Sequence, residues 1–165
     1  MEEVEKVFKR SRYQWDHWDD AIHGFRETER SEWKNQESRA VIERIRRVAF
    51  GDQEKRIMSH THILDISEEG WIKAHVDSVR FCGSTIAGLS LCSSSVMRLR
   101  PSPTTDENNS VHVDVKLPRR SLYVMKDRVR YDYSHEVLKV SESRWNQELV
   151  PRGRRVSIIC RNEPL

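Results

Sequence analysis

From about residue 57 to the end of the chain, apolar and polar residues alternate in a series of short segments, and this pattern is the strongest constraint on the fold. The alternation is strict in residues 111–117. Further predicted strands cover residues 62–66, 71–76, 86–91, 96–99, 122–125, 131–138 and 156–160. A period of two residues is typical of strands that bury one face. About eight short strands separated by polar turns predict a β-sandwich or a jelly roll.

The first third of the chain shows a helical period instead. Val4, Val7 and Phe8 have the spacing of one helix face, and a second apolar series keeps the same period further along. The residues of that second series are Trp33, Ala40, Val41, Ile45 and Val48. The second helix is predicted to end at Phe50, because a glycine such as Gly51 is typical of a helix C-cap.

Length and composition agree with one folded domain. The chain has 165 residues, 36% of them hydrophobic, and its five tryptophans argue against disorder throughout. We expect residues 1–56 to form a helical segment packed on a core of residues 57–165. Together they would make one structural domain that is mainly β with N-terminal helices (α+β). Trp15, Trp18 and Trp33 are expected to hold the N-terminal helices on that core.

The charges of the chain are numerous but nearly balanced. Lys and Arg number 29 and Asp and Glu number 26, which gives a formal net charge of +3. This balance excludes a dedicated polybasic protein and supports nucleic-acid binding only weakly. No apolar run approaches the roughly 20 residues of a membrane span. The three cysteines show no CxxC spacing, which argues against a disulfide framework or a structural zinc site and favours a reducing compartment.

His-x-Asp pairs are the first sign of a chemical site. On a strand, two residues that are two apart point to the same face. Together with a distant second histidine, such a pair forms the two-His-one-carboxylate triad that leaves iron positions open. The chain contains three of these pairs, His17 with Asp19, His75 with Asp77, and His112 with Asp114.

Sequence context separates the three pairs. The first pair lies in a stretch without strand alternation, where a cap or a core contact is the simpler interpretation. The third pair occupies the polar side of its strand, and too little chain separates it from the next histidine, His135, so a solvated face is expected there. His75 and Asp77 face away from their apolar strand neighbours and leave room for several strands before His135. We therefore predict a metal site formed by His75, Asp77 and His135.

The last predicted strand supplies a partner for an anion. Arg155, Ser157 and Arg161 share one strand face, and a guanidinium binds a carboxylate through two parallel hydrogen bonds. An iron site together with such an arginine suits a dicarboxylic keto acid, which would chelate the metal at one end and meet Arg155 at the other. The ordered set of His-x-Asp, His and Arg is far more specific than any of its parts.

In this order and spacing the chain resembles the AlkB group of Fe(II)/2-oxoglutarate dioxygenases. The segment RVSIICR at 155–161 resembles the terminal Arg-x-Asn-x-Thr-x-Arg strand of that family. A mitochondrial subgroup from animals is similar over almost the whole chain, except for the first ten residues and 101–120. The segments that carry this likeness are RYQWDHWDDAIHGFRETE, IKAHVDSVRFCGSTIAGLSLCSSSVMRL, SLYVMKDRVRYDYSHEVL and VPRGRRVSIICR.

The resemblance implies a double-stranded β-helix (jelly roll) core that uses Fe(II), 2-oxoglutarate and O2. His75, Asp77 and His135 would then be the iron ligands, Arg155 would bind the C5 carboxylate of 2-oxoglutarate, and Arg161 would lie near its C1 end.

Three further residues are weaker candidates for co-substrate binding. Tyr123 stands where the subgroup has a tyrosine that contacts the co-substrate, although a core tyrosine is an equal alternative. Ser157 is expected to add a supporting hydrogen bond. Relatives that repair nucleic acids carry an Asn-x-Tyr pair before the His-x-Asp pair. Here residues 62–64 read His-Ile-Leu, so the tyrosine is missing and His62 would replace the asparagine.

The substrate is less defined than the reaction. Residues 31–50 read as a mixed-charge amphipathic helix where nucleic-acid-repairing relatives have an aromatic, basic lid for a flipped base. We therefore expect an open cleft and a protein, peptide or metabolite substrate in the mitochondrial matrix, where the resemblance implies links to fatty-acid metabolism and programmed necrosis. Demethylation of N-methylated single-stranded or structured RNA is the first alternative, and a non-catalytic binding module the second. Duplex nucleic acid is not expected as a partner, and the protein is expected to be a monomer.

Overall fold

The computed structural model describes residues 1–15, 21–51, 56–102 and 111–164, which contain three α-helices and ten strands. The helices are α1 (Glu2–Phe8), α2 (Gln36–Phe50) and α3 (Asp127–Asp132), and a 3-10 helix covers Val140–Glu142. The strands are β1 (Ile22–Arg30), β2 (Thr61–His75), β3 (Thr85–Cys92), β4 (Ser95–Pro101), β5 (Val113–Leu117), β6 (Ser121–Lys126), β7 (Tyr133–Val137), β8 (Arg144–Trp145), β9 (Glu148–Leu149) and β10 (Arg155–Arg161).

Eight of these strands form one antiparallel sheet that nearly closes on itself. Its order is β5-β4-β7-β2-β10-β3-β6, and β1 pairs with β2 beside this path. The two end strands, β5 and β6, are separated in the chain only by residues 118–120, so the two edges of the sheet come together. This arrangement confirms the prediction of a mainly β, jelly-roll fold with N-terminal helices.

Strand β10 explains how the sheet carries both a core and a site. Its register places Arg155, Ser157, Ile159 and Arg161 on the inner face. Ile159 packs in the inner core cluster, whose buried members are Phe25, Leu64, Ile66, Ile72, Cys82, Ile86, Met97, Leu117, Met125, Val137 and Ile159. The other face of β10 belongs to a cluster that also includes residues of α1 and α2. The buried members of that outer cluster are Val4, Phe8, Trp33, Ile42, Ile45, Ala49, Ile63, Ala87, Val156, Ile158 and Cys160.

Helix α2 has the ends that the sequence predicts. The side chain of Asn35 accepts hydrogen bonds from the backbone N–H groups of Glu37 and Ser38, and Gly51 caps the C-terminus with φ 74°. The predicted buried face is partly wrong, because Ala40, Val41 and Val48 are exposed. The helix instead buries Ile42, Ile45 and Ala49 against the sheet. Within the described chain, none of the helices combines the length and the apolar character of a membrane span.

The first third of the chain is less helical than predicted, since residues 22–30 form strand β1. Its partner β2 is one long strand, whereas the sequence predicted two at residues 62–66 and 71–76. The polar residues 67–70 read as a turn, but they form a bulge opposite Gly24, and β1 pairs with β2 on both sides of it. At the end of the bulge, Gly70 lies against the backbone of His23 and Gly24, which leaves no room for a side chain.

The strand predicted at residues 131–138 begins only at Tyr133. Helix α3 precedes it, and Arg130 of this helix is buried where it donates hydrogen bonds to the carbonyl groups of Cys82 and Gly83. These hydrogen bonds tie α3 to a loop that is distant in the chain. Local alternation does not reveal a long-range contact of this kind.

The three tryptophans expected to hold the N-terminal helices behave differently. Trp33 is buried in the outer cluster, as predicted. Trp15 is 47% exposed, lies edge-on to His23 of β1 and is not among the residues of the outer cluster. Trp18 lies outside the described residues.

Candidate active site

The pairing of β2 with β7 brings two histidines from distant parts of the chain together. His75 is the last residue of β2 and lies opposite His135 of β7, with their ring centroids 4.3 Å apart. Asp77 follows two residues after the end of β2. One ligand atom of each of the three side chains lies within 4.8 Å of the others, so the structure brings the predicted triad together.

The protonation of these side chains suits a divalent metal. His75 Nδ1 lies 2.8 Å from the carbonyl oxygen of Lys73, which can only accept a hydrogen bond, so Nδ1 carries the proton. The Nε2 atoms of His75 and His135 lie 3.2 Å and 3.8 Å from the same Oδ1 of Asp77. Two imidazole nitrogens and a carboxylate oxygen thus converge on one point, which is the donor set that non-haem Fe(II) prefers.

Electrostatics keep this donor set ready to bind. Burial, with the neighbouring His75, lowers the pKa of His135 to about 4 against the opposing effect of Asp77, so its imidazole is neutral near pH 7. Burial raises the pKa of Asp77, but the contact with His75 Nε2 and the charge of Arg161 outweigh it and hold this pKa well below its usual range. Asp77 is therefore a carboxylate, and neither His135 nor Asp77 has to lose a proton when a metal binds.

The other two His-x-Asp pairs differ from this one. His112 Nε2 lies 3.7 Å from Asp114, but both oxygens of Asp114 accept hydrogen bonds from Arg98, at 2.7 Å and 2.8 Å. Among the described residues, no other group of three His, Cys, Asp or Glu side chains converges as closely as the triad. The pair of His17 and Asp19 lies outside the described residues.

Arg155 is a buried cation without a carboxylate partner among the described residues. It is only 1% exposed; Nε donates to Ser90 Oγ at 3.0 Å and Nη1 to Ser157 Oγ at 3.2 Å. Its Nη2 has no hydrogen-bond partner in the described chain. Burial lowers the pKa of this guanidinium, and Tyr123 counteracts the effect. Since an unpaired buried charge is costly, this environment indicates a place for an anion.

Tyr123 lies on β6, in register with Gly88 of β3. Its phenol ring covers Gly88 on the neighbouring strand, where a Cβ atom would overlap the ring. Burial raises the pKa of this phenol, the charge of Arg155 lowers it and that of Asp77 raises it, so Tyr123 interacts electrostatically with both. The ring also packs against the inner core cluster, so the structure agrees with both interpretations of this residue.

The remaining predicted residues connect to Asp77 or to Arg155. Arg161 donates from Nε and Nη2 to Asp77 Oδ2 at 3.3 Å and 3.2 Å, and from Nη1 to His62 Nδ1 at 3.4 Å. Ser157 Oγ accepts a hydrogen bond from Arg155 Nη1 and donates one to the carbonyl oxygen of Leu64 at 3.5 Å. The structure therefore places Arg161 and His62 beside the triad and Ser157 beside Arg155.

Three residues that complete these contacts were missed by the sequence analysis. They are Gly88 beneath Tyr123, Ser90 beside Arg155, and Glu27, which lies 2.8 Å from His62 Nε2. Gly88 and Ser90 are two apart on a predicted strand, so their shared face was readable from the sequence. Which strand that face meets was not, because the neighbour of a strand is decided by long-range pairing.

Comparisons with known proteins agree over most of the chain. A family model described as the 2OG-Fe(II) oxygenase superfamily matches residues 66–161. A protein from Bos taurus named "Alpha-ketoglutarate-dependent dioxygenase alkB homolog 7, mitochondrial" is 49% identical over 162 residues, which are 98% of this chain and 71% of that protein. The protein of the same name from Mus musculus is 48% identical with the same coverage.

A solved structure is similar in fold. A prolyl-4-hydroxylase from Pseudomonas putida matches with a TM-score of 0.62 and 14% identity, over 99% of this chain and 83% of that one. At this identity the likeness concerns the fold alone. In sequence, the matched range of the family model includes the triad, Tyr123, Arg155 and Arg161, whereas His62 and Glu27 lie outside it.

Proposed function

This chain belongs to the 2OG-Fe(II) oxygenase superfamily, and from its membership of the AlkB homologue 7 group of dioxygenases we propose that it oxidises a protein, peptide or metabolite in the mitochondrial matrix. The resemblance to the AlkB group is thereby confirmed, and so is the enzyme class. The family implies Fe(II), 2-oxoglutarate and O2, as the sequence predicted. The identity of the substrate and the links to fatty-acid metabolism and programmed necrosis are part of the proposal.

The observation that carries the assignment of roles is the unpartnered Nη2 of Arg155 within the described chain. A buried guanidinium with one free edge fits the distal carboxylate of a dicarboxylic acid. Arg155 and Arg161 share the inner face of β10, and Arg161 donates to Asp77, so the anion position and the metal position belong to one interior. We infer that 2-oxoglutarate lies between them, with its C5 carboxylate on Arg155 and its 2-oxo end towards the triad.

Each side chain then has a physical task. His75, Asp77 and His135 hold Fe(II), which when bound supplies the activation of O2 and the oxidation of 2-oxoglutarate and substrate. Ser90 and Ser157 fix the orientation of the Arg155 guanidinium.

The remaining tasks concern the co-substrate and one metal ligand. The protonated hydroxyl of Tyr123 donates a hydrogen bond to the co-substrate, Arg161 holds Asp77 and lies near the C1 end, and His62 supports Arg161.

One observation supports the proposed location, and another supports the proposed substrate class. The curated relatives are named mitochondrial. Helix α2 covers the region where nucleic-acid-repairing relatives have a base-flipping lid, and it uses its apolar face to pack on the sheet instead. Together with the near-neutral net charge, this favours a protein, peptide or metabolite over duplex nucleic acid.

The reaction class is tested with Fe(II), 2-oxoglutarate and O2 in the absence of a substrate. Slow uncoupled conversion of 2-oxoglutarate to succinate is expected from the wild-type protein and not from the Asp77→Ala variant. A matched Asp114→Ala variant should behave like the wild type, because Asp114 pairs with Arg98, which lies opposite Glu136 in the strand register and not opposite His135. Succinate formation that survives in the Asp77→Ala variant would contradict the proposed role of the triad.

The substrate class is tested with isotope-labelled oxygen. Incubation of a mitochondrial matrix extract with the protein and ¹⁸O2 is expected to introduce one ¹⁸O atom into a protein, peptide or metabolite, which mass spectrometry detects. Release of formaldehyde from N-methylated single-stranded RNA without such labelling would replace the proposal by the RNA-demethylase alternative. Efficient demethylation of a methylated duplex at about 150 mM salt would refute the exclusion of duplex nucleic acid.

A further inference from the structure

A chain of polar contacts leads from the surface of β1 to the predicted metal ligand Asp77. Glu27 Oε2 lies 2.8 Å from Nε2 of His62, and His62 Nδ1 lies 3.4 Å from Nη1 of Arg161. Arg161 in turn donates two hydrogen bonds to Asp77 Oδ2. The side chain of Glu27 is 36% exposed and that of His62 is 16% exposed, so the chain runs inward from solvent.

The groups at the two ends of His62 determine which of its nitrogens carries a proton. A guanidinium has only N–H groups and no acceptor, so His62 Nδ1 must accept from Arg161. A carboxylate at neutral pH only accepts, so His62 Nε2 must donate to Glu27. The neutral tautomer with its proton on Nε2 satisfies both neighbours at once, whereas a proton on Nδ1 would point towards the N–H group of Arg161.

This tautomer matters for the geometry of Asp77. With Nη1 bound to His62, Arg161 is left with Nε and Nη2 for Asp77, and both donate to the same oxygen, Oδ2. The other oxygen, Oδ1, is the one that faces Nε2 of His75 and of His135. The orientation of Arg161 therefore decides which carboxylate oxygen is available on the metal side.

We propose that Glu27 is a positioning residue of the active site, which fixes the Nε2–H tautomer of His62 and through His62 and Arg161 holds Asp77 Oδ1 towards the metal. The proposal rests on the function proposed above. Glu27 lies on β1, outside the part of the chain that the family model matches. A strand that pairs beside the main path of the sheet thus contributes to a site whose other residues all lie elsewhere.

The tautomer of His62 is measured on the metal-free protein by ¹⁵N–¹H long-range correlation NMR. The wild type is expected to show the Nε2–H form. In a Glu27→Ala variant this form should give way to a mixture, because the 3.4 Å contact with Arg161 alone holds it only weakly. In a Glu27→Gln variant it should persist, because the amide oxygen still accepts from Nε2. A predominantly Nδ1–H form of His62 in the wild type would overturn the proposal.

Metal affinity gives a second readout that does not depend on turnover. With Mn²⁺ as the probe in calorimetry, Glu27→Ala is expected to weaken binding by about tenfold, the lower end of the usual effect of removing an outer partner of a metal ligand. Glu27→Gln should restore most of the affinity.

The matched control is Glu29→Ala. Glu29 lies two residues along β1, and its carboxylate is 3.6 Å from His60. Unchanged Mn²⁺ affinity in Glu27→Ala, or an equal loss in Glu29→Ala, would refute the role of Glu27 while leaving the proposed function intact. Failure of the wild type to bind Mn²⁺ would refute the proposed function, and the role of Glu27 with it.

Discussion

His75 lies directly opposite His135 in the register of β2 and β7, although strands β3 to β6 lie between them in the chain. Strand pairing thus fixes two of the three predicted metal ligands on a rigid frame, and only Asp77 lies beyond the end of a strand. The rigidity of a paired strand favours a site whose geometry exists before the metal arrives. The position of the Asp77 carboxylate depends on side-chain contacts such as those from Arg161, so a change at Asp77 is the most direct test of the site.

The metal site is tested by comparing Asp77→Ala with Asp114→Ala. Loss of Asp77 removes the carboxylate that faces both imidazoles. Losing only an outer partner of a metal ligand already weakens metal binding by about tenfold, so losing the ligand itself should weaken Mn²⁺ binding by more than that. Asp114→Ala should leave the affinity unchanged, because that carboxylate is occupied by Arg98. Calorimetric titration of both variants provides the measurement, and equal affinities would refute the metal site.

The anion position is tested with Arg155→Gln and two keto acids. The wild type with Mn²⁺ should bind 2-oxoglutarate more tightly than 2-oxopentanoate, which has the same carbon chain without the distal carboxylate. The variant is expected to lose roughly 2–5 kcal/mol of 2-oxoglutarate binding, the cost of breaking a buried hydrogen-bonded charge pair. It should then no longer distinguish the two acids. Arg128→Gln, at an arginine whose side chain is 82% exposed, is the control, and a preference that persists in Arg155→Gln would contradict this role.

Gly88→Ala tests the place of Tyr123. A methyl group there would overlap the phenol ring, so the ring must move and 2-oxoglutarate binding should weaken. Overpacking of this kind costs about 1–3 kcal/mol in stability. In a Tyr123→Ala background the same glycine change should have little additional effect on either quantity. Gly153→Ala is a matched control, because within the described part of the chain its Cβ would meet only Ser93, at an ordinary contact distance of 3.8 Å. Additive effects of the Gly88 and Tyr123 changes would show that the two residues act independently.

Asp65 is the subject of a prediction about stability alone. Its carboxylate is fully buried on the outer side of β2, where Arg26 and Arg154 donate to it at 2.7 Å and 2.9 Å. Asp65→Ala leaves two arginines beside an empty position, and breaking such a buried pair costs about 3–5 kcal/mol. Urea denaturation should show this loss, whereas Asp132→Ala, which breaks an exposed pair, should change stability by less than about 1 kcal/mol. Similar losses in the two variants would contradict this interpretation.

Sequence patterns identified the features that depend on a single element. The alternation of residues 155–161 already places Arg155, Ser157 and Arg161 on one face, because a strand repeats every two residues. Gly51 marks the end of α2 for an equally local reason, since a residue with positive φ ends a helix. The candidate ligands His75, Asp77 and His135 follow from residue type and spacing, because imidazole and carboxylate are the ligands that Fe(II) prefers.

Tertiary structure decided everything that depends on which strands are neighbours. Local period tells which way a side chain points but not what it meets, so β1 and its pairing with β2 on both sides of the bulge were missed. For the same reason Ser90 beside Arg155 and Glu27 beside His62 became visible only in the fold. These contacts join residues far apart in the chain, and their cost in chain entropy is met by the whole sheet rather than by any local segment. The sequence by itself therefore determined the chemistry of the candidate site, and the tertiary structure determined its supporting contacts.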